Sequence, residues 1–445
     1  MNIKKICLLV GFSLLSTQTQ AANWLALQGT EPASSAPRAK VWGFIQPEYQ
    51  SADGGTLPAG TPFAGQIMSP NIIRPDNKST ETFNLRRARI GVRGAGFPLD
   101  DKVNYFFLAE FGRNGITKLA KTGVALTDAS ITLNHIPGAR IRIGQFKTPG
   151  AEEGLAAIHV FNYNNFTNVT NQMLLERFTD GDGSLRDGKP VGAGGLTGTA
   201  NGINGSVSAF RDQGIQVFNT FKVNNWEHSY AVMYANGNGI NRADNNDDKE
   251  TYLYWSSELV YGGKGARREG LKMFAWSQSG TRTLTTSGAG DYDRDRTGLG
   301  ATFHRGKYRA AAEYITADGM IFNGSDLGAI PGASNNAGDN TADINILTTG
   351  EADGYYVDFG YKIMPNLELD ARYDVLNRGT ETSAGERKFD TLTLGAQYFF
   401  NKKTRVTFNY EIRNQEAPNL PGTHNANKIA DSLDDLMSVS FLAIF

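Results

Sequence analysis

The sequence has little cysteine, no long apolar run and almost no net charge. Cys7 is the only cysteine among 445 residues, so disulfide bonds within the chain cannot stabilise it. The formal net charge is −1, which gives no basic bias toward nucleic acid. After residue 22, no stretch approaches the 18 consecutive apolar residues typical of a membrane-spanning helix. Disulfide-rich scaffolds, nucleic-acid-binding proteins and helical membrane proteins are therefore disfavoured.

The first 22 residues have the pattern of a secretory signal peptide. Lys4 and Lys5 precede a short apolar core, and small residues allow cleavage after Ala21 or Ala22. Cys7 lies in this segment, so we expect the mature chain to contain no cysteine. We expect residues 23–39 to form a periplasmic lead-in before the folded part of the chain.

Glycine and aromatic residues are abundant, as is typical of strands and turns. There are 51 glycines, 25 phenylalanines and 17 tyrosines. In residues 405–413, apolar Val406, Phe408 and Tyr410 alternate with Arg405, Thr407 and other polar residues. Side chains of a strand alternate between its two faces, so such a segment has one apolar and one polar face. This pattern indicates a transmembrane barrel with a wet lumen and a lipid-facing outer wall.

The same pattern predicts an all-β fold, a 16-stranded antiparallel transmembrane β-barrel over residues 40–445. The candidate strands start near residues 40, 82, 102, 124, 139, 214, 226, 251, 268, 296, 307, 354, 366, 387, 402 and 435. The connections alternate between short turns and long loops, and 279–295 is among the long ones. A β-sandwich mixes connection lengths instead. A barrel of 16 strands leaves an aqueous channel, and its even strand number puts both termini in the periplasm.

The third long connection, residues 148–213, is a constriction-loop candidate. Its segment 156–178 is rich in apolar and amide side chains, which is unusual for an exposed loop. We expect this loop to fold toward the lumen. The alternative is that it packs over the rim or against a neighbouring subunit.

Five arginines on two predicted strands share the same parity along each strand. An arginine facing lipid near the membrane centre costs about 2–4 kcal/mol, so we expect these side chains in the lumen or at the interface. Guanidinium groups attract anions and match phosphate oxygens. The alternative is that acids on neighbouring strands, such as Glu110 and Asp128, pair with them. The five residues are Arg87, Arg89, Arg93, Arg140 and Arg142.

Several stretches of the chain resemble the phosphate-selective porin O and P family. They are Leu85–Gly94, Tyr105–Phe111, Asp128–Ser130, Arg142–Pro149 and Leu174–Arg177, and the similarity spans roughly residues 82–178. The resemblance implies a bacterial outer-membrane porin, usually trimeric, through which small hydrophilic solutes diffuse passively. Founding members conduct phosphate or polyphosphate, which implies a modest anion preference. The partners implied are small anions and other hydrophilic solutes, outer-membrane lipid and lipopolysaccharide, and two further copies of the chain in a homotrimer, without nucleic acid.

The candidate constriction departs from the family's phosphate specialists, which resemble one another in carrying several basic residues there. Residues 151–178 contain one base, Arg177, and three acids, Glu152, Glu153 and Glu176. We predict that the anion path is lined by the five arginines together with Lys147 and Arg177. The three acids are expected to weaken any phosphate selectivity.

The chain ends on a strand-like run, Met437–Phe445. Val439, Phe441, Ala443 and Phe445 share one face of it. The ending resembles the terminal aromatic signal of bacterial outer-membrane proteins. This resemblance makes Phe445 a predicted assembly signal and the barrel assembly machinery a predicted partner.

Two other classes of function remain open: an outer-membrane hydrolase with a Ser–His pair on the outer wall, and a barrel that sheaths an electron-transfer conduit. The chain has no Gly-x-Ser-x-Gly with a plausible triad order and no haem-attachment Cys-x-x-Cys-His. Its five histidines lack metal-ligand spacing. We therefore predict no catalytic residue, no metal site and no cofactor.

Overall fold

A computed structural model describes most of the chain from Trp24 onward. The described residues are 24–26, 38–52, 57–61, 64–65, 81–96, 100–118, 123–175, 185–186, 189–190, 210–263, 267–284, 290–322, 346–432 and 434–445. The predicted signal peptide, Glu176 and Arg177 lie outside these ranges.

Sixteen antiparallel strands close into one barrel in chain order, and the last strand pairs with the first. The strands are β1 (Lys40–Ala52), β2 (Glu81–Ala95), β3 (Val103–Glu110), β4 (Ala125–Ile136), β5 (Ala139–Lys147), β6 (Arg211–Val223), β7 (Trp226–Ala235), β8 (Glu250–Gly262), β9 (Glu269–Leu284), β10 (Gly290–Arg305), β11 (Tyr308–Asp318), β12 (Glu351–Met364), β13 (Leu367–Arg378), β14 (Arg387–Asn401), β15 (Thr404–Glu416) and β16 (Leu436–Ile444). The predicted fold class and strand number are confirmed.

One predicted loop is wrong, because residues 279–295 mostly extend β9 and β10 rather than connecting them. Ser279 pairs with Asp295, and the ladder continues to Leu284 and Gly290. This outer part of the hairpin is polar, so it lacks the apolar alternation that marks a strand in lipid. Its backbone hydrogen bonds do not need that alternation, and the strands therefore run on beyond the apolar band.

Burial alternates along the strands as a wet lumen requires. In β14, Leu392 and Leu394 are exposed on the outer wall, whereas Thr391 and Thr393 are buried on the inner wall. The inner-wall residues are buried because segments inside the barrel cover them. The outer wall is apolar because it faces lipid.

Phe445 completes the closure of the barrel. Its backbone N–H donates to the Gly43 carbonyl at 3.0 Å, and the Gly43 N–H donates to the Phe445 carbonyl at 3.3 Å. A Cβ on Gly43 would lie 2.4 Å from a ring carbon of Phe445, so glycine makes room for the terminal ring. Phe441 and Phe445 are exposed on the outer wall, whereas Ser438 is fully buried on the inner wall.

Short helical segments lie between the strands. The third connection contains one α-helical turn at Glu152–Leu155, a 3₁₀ turn at Ile158–Val160 and a π-helical turn at Thr170–Leu174. A further helix, Asn425–Ala430, precedes β16. No helix in the described ranges is long and apolar enough to cross a membrane.

The predicted periplasmic lead-in begins inside the barrel. Trp24–Ala26 form a single 3₁₀ turn. Leu25 is 2% exposed and belongs to a hydrophobic cluster with Leu155, Phe218 and Trp276, whose side chains face the lumen. These three residues of the predicted 23–39 lead-in therefore lie against the inner wall of the barrel.

Candidate functional site

Two consecutive arginines, Arg86 and Arg87, both point into the lumen. The ladder between β1 and β2 shifts register between Gln46 and Pro47, and this bulge turns Arg86 inward. Arg86 forms an ion pair with Glu48, and its Nη2 donates to Asn165 Oδ1 at 2.9 Å. Arg87 Nη1 donates to Gln46 Oε1 at 2.8 Å. Arg86 has the opposite parity to Arg87 and Arg89, so sequence reasoning missed it as a lumenal residue.

Arg89 and Arg211, two further inward-facing arginines, also have carboxylate partners. Arg89 Nε donates to Glu110 Oε2 at 2.6 Å. Glu110 Oε1 also accepts the backbone N–H groups of Ala88 at 2.9 Å and Gly112 at 2.8 Å. Arg211 donates to both carboxylate oxygens of Asp128 at 3.0–3.1 Å. Both acids expected as alternative partners contact arginines: Glu110 contacts Arg89, which is one of the five, and Asp128 contacts Arg211.

The remaining three predicted anion-path arginines differ in burial. Arg142 is 2% exposed; its Nη2 donates to the Leu25 carbonyl at 3.2 Å, and its guanidinium lies 4.5 Å from the Phe218 ring centre. Arg93 is half-buried over the Trp42 ring, 5.4 Å from its centre. Arg140 is also half-buried. Arg93 and Arg140 are thus more accessible from the lumen than Arg142.

Lys147 anchors the start of the third connection. Its ammonium group donates to three backbone carbonyls, those of Gly154 at 2.8 Å, Leu155 at 3.3 Å and Ala156 at 2.6 Å. Carbonyl oxygens satisfy the donors of a lysine but carry no formal negative charge. Lys147 therefore holds the start of the loop through these three carbonyls.

The two described constriction acids are both paired with cations of the opposite wall. Glu152 forms an ion pair with Lys272, and Glu153 Oε1 accepts from Arg372 at 2.9 Å. Glu153 Oε2 also accepts from the Thr167 hydroxyl at 2.7 Å. The pairing offsets the charge of both carboxylates.

A run of asparagines joins the third connection to the inner wall of the barrel. The Asn164 N–H donates to Asn409 Oδ1 at 2.7 Å, and Asn168 Nδ2 donates to Asp374 Oδ1 at 2.9 Å. Asn165 Nδ2 donates to Glu411 Oε1 at 2.6 Å. These partners lie on β13 and β15, across the lumen from Lys147. The amide-rich composition noted in the sequence corresponds to these contacts.

A network of ions on the opposite wall was not singled out from the sequence. Arg309 contacts three carboxylates, those of Asp358, Glu368 and Asp370. The hydroxyl group of Tyr163, in the loop, donates a hydrogen bond to the Asp358 carboxylate. Strand alternation puts Glu368 and Asp370 on one face of β13, but it gives no signal that Arg309 bridges them.

The described residues beside the third connection enclose two cavities in the lumen. The first, of about 250 Å³, is called here the basic cavity. Among the described residues that line it are four cations, Arg89, Arg93, Lys147 and Arg211, and no acid. The second, of about 140 Å³, is called the mixed cavity. It is lined by the acids Glu152, Glu153, Glu258 and Asp358 and by the cations Arg267, Arg268, Lys272, Arg309 and Arg372. Trp24 and Val160 line both cavities, which therefore adjoin each other there.

His159 faces the basic cavity and carries no charge at neutral pH. Burial lowers the pKa of its imidazole to about 3, and the positive charges of Arg405 and Lys147 lower that pKa further in the same direction. Its ring lies 5.7 Å from that of Trp42. The positive charge of this cavity thus comes from lysine and arginine.

One Ser–His contact lies on the outer wall. His228 Nδ1 is 2.9 Å from Ser257 Oγ, which also accepts from the Trp255 indole N–H at 3.0 Å. Trp226 and Phe221 lie beside the imidazole, with ring centres 6.4 and 5.2 Å from it. No three His, Cys, Asp or Glu residues among the described part of the chain are grouped as metal ligands.

Comparisons with known proteins agree with this architecture. The family model named phosphate-selective porin O and P matches residues 73–421. A loop L8 deletion mutant of OmpT, an outer membrane protein of Vibrio cholerae, is 10% identical and covers 92% of this chain and 99% of its own, with a TM-score of 0.51. The outer membrane channel DcaP of Acinetobacter baumannii is 13% identical over 94% of this chain and 100% of its own, with a TM-score of 0.50.

The barrel is also similar to an anion-selective porin from Comamonas acidovorans. That porin is 12% identical over 92% of this chain and 100% of its own, with a TM-score of 0.50. At such low identity, the structural likeness shows the fold alone. A comparison with curated protein sequences gave no match.

Proposed function

Because the chain belongs to the phosphate-selective porin O and P family of bacterial outer-membrane porins, we propose that it passes small hydrophilic solutes with a modest preference for anions such as phosphate. The family match extends over residues 73–421. The chain is therefore a channel of the bacterial outer membrane. The preference for anions among the solutes that pass is what we propose.

The basic cavity carries this proposal. It has four basic side chains and no acid among its described lining residues, and two of the four, Arg89 and Arg211, are paired with Glu110 and Asp128. A cleft lined by one sign of charge with low-dielectric walls concentrates ions of the opposite sign. The loop acids Glu152 and Glu153 do not oppose this strongly, since each is paired with a cation of the mixed cavity. Anions are therefore favoured without a dedicated phosphate site.

The third connection is the proposed constriction. Its residues contact inward-facing side chains on both sides of the barrel, through Lys147 at one end and Asn164 and Asn168 at the other. A segment that crosses a lumen reduces its open cross-section, so solutes pass beside the loop. The small cavity volumes favour ions and small solutes over large ones.

Planar-bilayer recordings in a tenfold KCl gradient test the proposal. We expect a reversal potential on the anion side, which moves toward cations in Arg93→Gln, because a half-buried lumenal charge is lost. Lys403→Gln, in an exposed turn, is the matched control and should leave the potential unchanged. Replacing chloride by phosphate should retain current. A parent channel that prefers cations would contradict the proposal.

An enzymatic role is the second candidate because of the His228–Ser257 contact. Ser257 Oγ is held by the Trp255 indole, and no carboxylate or amide contact orients His228 among the described residues. We therefore propose a channel without hydrolase activity. Serine-directed fluorophosphonate should label neither the parent nor Ser257→Ala, and both should conduct equally. Labelling of the parent alone would favour the hydrolase.

We further propose that the chain forms a homotrimer. We also propose that the barrel assembly machinery recognises Phe445, so that assembly depends on this residue. The ring lies exposed on the outer wall over Gly43, where a membrane-embedded factor reaches it. Deleting Phe445 should sharply reduce the folded trimer in outer membranes, whereas Phe445→Tyr should preserve it. Cross-linking and heat-shift gels measure both. Normal assembly of the deletion variant would remove this role. Lipid and lipopolysaccharide remain predicted partners.

A further inference from the structure

The amino-terminal turn is built into the pore. We propose that Trp24 is a conductance-determining residue, held in the lumen so that its indole forms part of the partition between the basic and mixed cavities. This inference rests on the proposed channel function and names a pore element outside the strands and the third connection.

The first anchor of the turn is Trp24 itself. Its indole N–H donates to Glu152 Oε1 at 2.8 Å. Glu152 is in turn paired with Lys272 of β9. Trp24 is thereby joined through one carboxylate to both the third connection and the barrel wall.

The second anchor is Leu25. Its carbonyl accepts from Arg142 Nη2 at 3.2 Å, and its side chain is 2% exposed in the cluster that contains Phe218 and Trp276. Arg142 lies on β5 and Lys272 lies on β9, so the two anchors reach different parts of the wall. Arg142, predicted to line the anion path, instead acts as a positioning residue for the turn.

Cavity geometry supplies the functional consequence. Trp24 lines the basic cavity of about 250 Å³ and the mixed cavity of about 140 Å³. An indole at the boundary between two compartments restricts passage from one to the other. Removing it joins the cavities and widens the path for ions.

Single-channel recording of three variants tests this role. Trp24→Ala should raise conductance by roughly 1.5-fold or more, since the pore-lining side chain that narrows the path is gone. Trp24→Phe keeps most of the ring volume and should stay near the parent value. Trp226→Ala removes the same side chain from the outer wall and should also match the parent. A heat-shift gel verifies that each barrel is folded.

A thiol probe separates a pore position from a purely structural one. The only cysteine, Cys7, lies in the predicted signal peptide, so Trp24→Cys supplies a single thiol. A negatively charged methanethiosulfonate reagent should reduce the current of open Trp24→Cys channels within a recording. It should leave the parent unaffected.

The proposal is overturned if folded Trp24→Ala conducts like the parent, or if the reagent modifies Trp24→Cys without changing its current. Failure of the proposed function has a different signature, because the parent would then show no anion preference or no channels at all. Anion-selective parent channels with an unchanged Trp24→Ala conductance reject only the role of Trp24.

Discussion

The two lumenal cavities differ in the acids that line them: the mixed cavity has four acids beside its five cations, whereas the basic cavity has four cations and no acid among its described lining residues. In the mixed cavity, Arg309 contacts Asp358, and Arg372 contacts Glu153. In the basic cavity, Arg89 and Arg211 are paired with Glu110 and Asp128, which do not line it, and Lys147 is bound by backbone carbonyls. A carboxylate offsets the charge of its cation, whereas a carbonyl satisfies the hydrogen bonds of a lysine and carries no formal charge. Solutes in the basic cavity therefore meet basic side chains without an acid among the described lining residues.

The two cavities are therefore expected to have different roles: the mixed cavity positions the loop, and the basic cavity affects ion selectivity. Ion pairs of the mixed cavity hold the third connection and the amino-terminal turn through Glu153 and Glu152. A buried pair costs desolvation and contributes little net stability, but losing one partner is expensive. The mixed cavity is therefore expected to respond to substitution through loop position, and the basic cavity through ion selectivity.

The largest effect is expected from removing the segment that separates the cavities. Deleting Ala157–Thr170 eliminates the Asn164 and Asn168 contacts and should increase single-channel conductance several-fold, because the lumen of a 16-stranded barrel is wide. Deleting Thr382–Gly385 from an exposed outer connection is the control and should change conductance little. Unchanged conductance of a folded Ala157–Thr170 deletion would mean that this segment does not narrow the pore.

Breaking one ion pair of the mixed cavity should have the next largest effect. Glu153→Gln leaves Arg372 without its carboxylate, and losing one partner of a buried pair costs about 3–5 kcal/mol. We expect noisier open-channel current from a less firmly held loop, with a shift of the reversal potential toward anions. Glu416→Gln, at an exposed pair with Lys388, is the control and should behave like the parent. A quiet Glu153→Gln channel with parental selectivity would contradict a holding role.

A smaller effect is expected in the basic cavity, where Arg89 has an acidic partner. Arg89→Gln leaves the Glu110 carboxylate, which also accepts the backbone N–H groups of Ala88 and Gly112, without its arginine. The reversal potential should move toward cations by more than in the double variant Arg89→Gln with Glu110→Gln. The difference should shrink from 0.1 M to 1 M salt, since the Debye length falls from about 10 Å to about 3 Å. Equal potentials for both variants would show that the pair does not act on the pore.

The strands were predictable from the sequence because lipid imposes an apolar face on every second residue. The alternation rule failed where a strand is irregular or lies outside the lipid. Arg86 lies at a bulge, and only the proline at position 47 and the cost of an arginine in lipid hinted at it. The outer half of the β9–β10 hairpin lies beyond the apolar band, so its strands looked like a loop.

The contacts inside the lumen were less predictable. The hydrogen bonds of Trp24 with Glu152 and of Asn164 with Asn409 each join residues more than a hundred positions apart in the sequence. Composition indicated that the third connection was not an exposed loop, but no local pattern specifies which wall residue an asparagine reaches. For the amino-terminal turn, the signal pattern predicts secretion, but no pattern in the residues after the predicted cleavage site indicates that Trp24 and Leu25 lie in the lumen.

The smallest effect is expected from His159, the titratable neutral side chain of the basic cavity. Its pKa is about 3 in the folded chain and near 6.5 when unfolded, with burial as the main cause and Arg405 and Lys147 adding to it. Between these values the unfolded chain binds a proton that the folded chain does not. The stability from neutral His159 is therefore complete above about pH 6.5 and declines as the pH falls toward 3.

Urea unfolding at pH 7.5 and 4.5 measures this loss of stability. The loss should be smaller in His159→Gln than in the parent or in the outer-wall control His228→Gln. Anion preference should not rise between pH 7 and 5, because His159 stays uncharged there; a rise that His159→Gln abolishes would show that the imidazole gains its proton inside the pore.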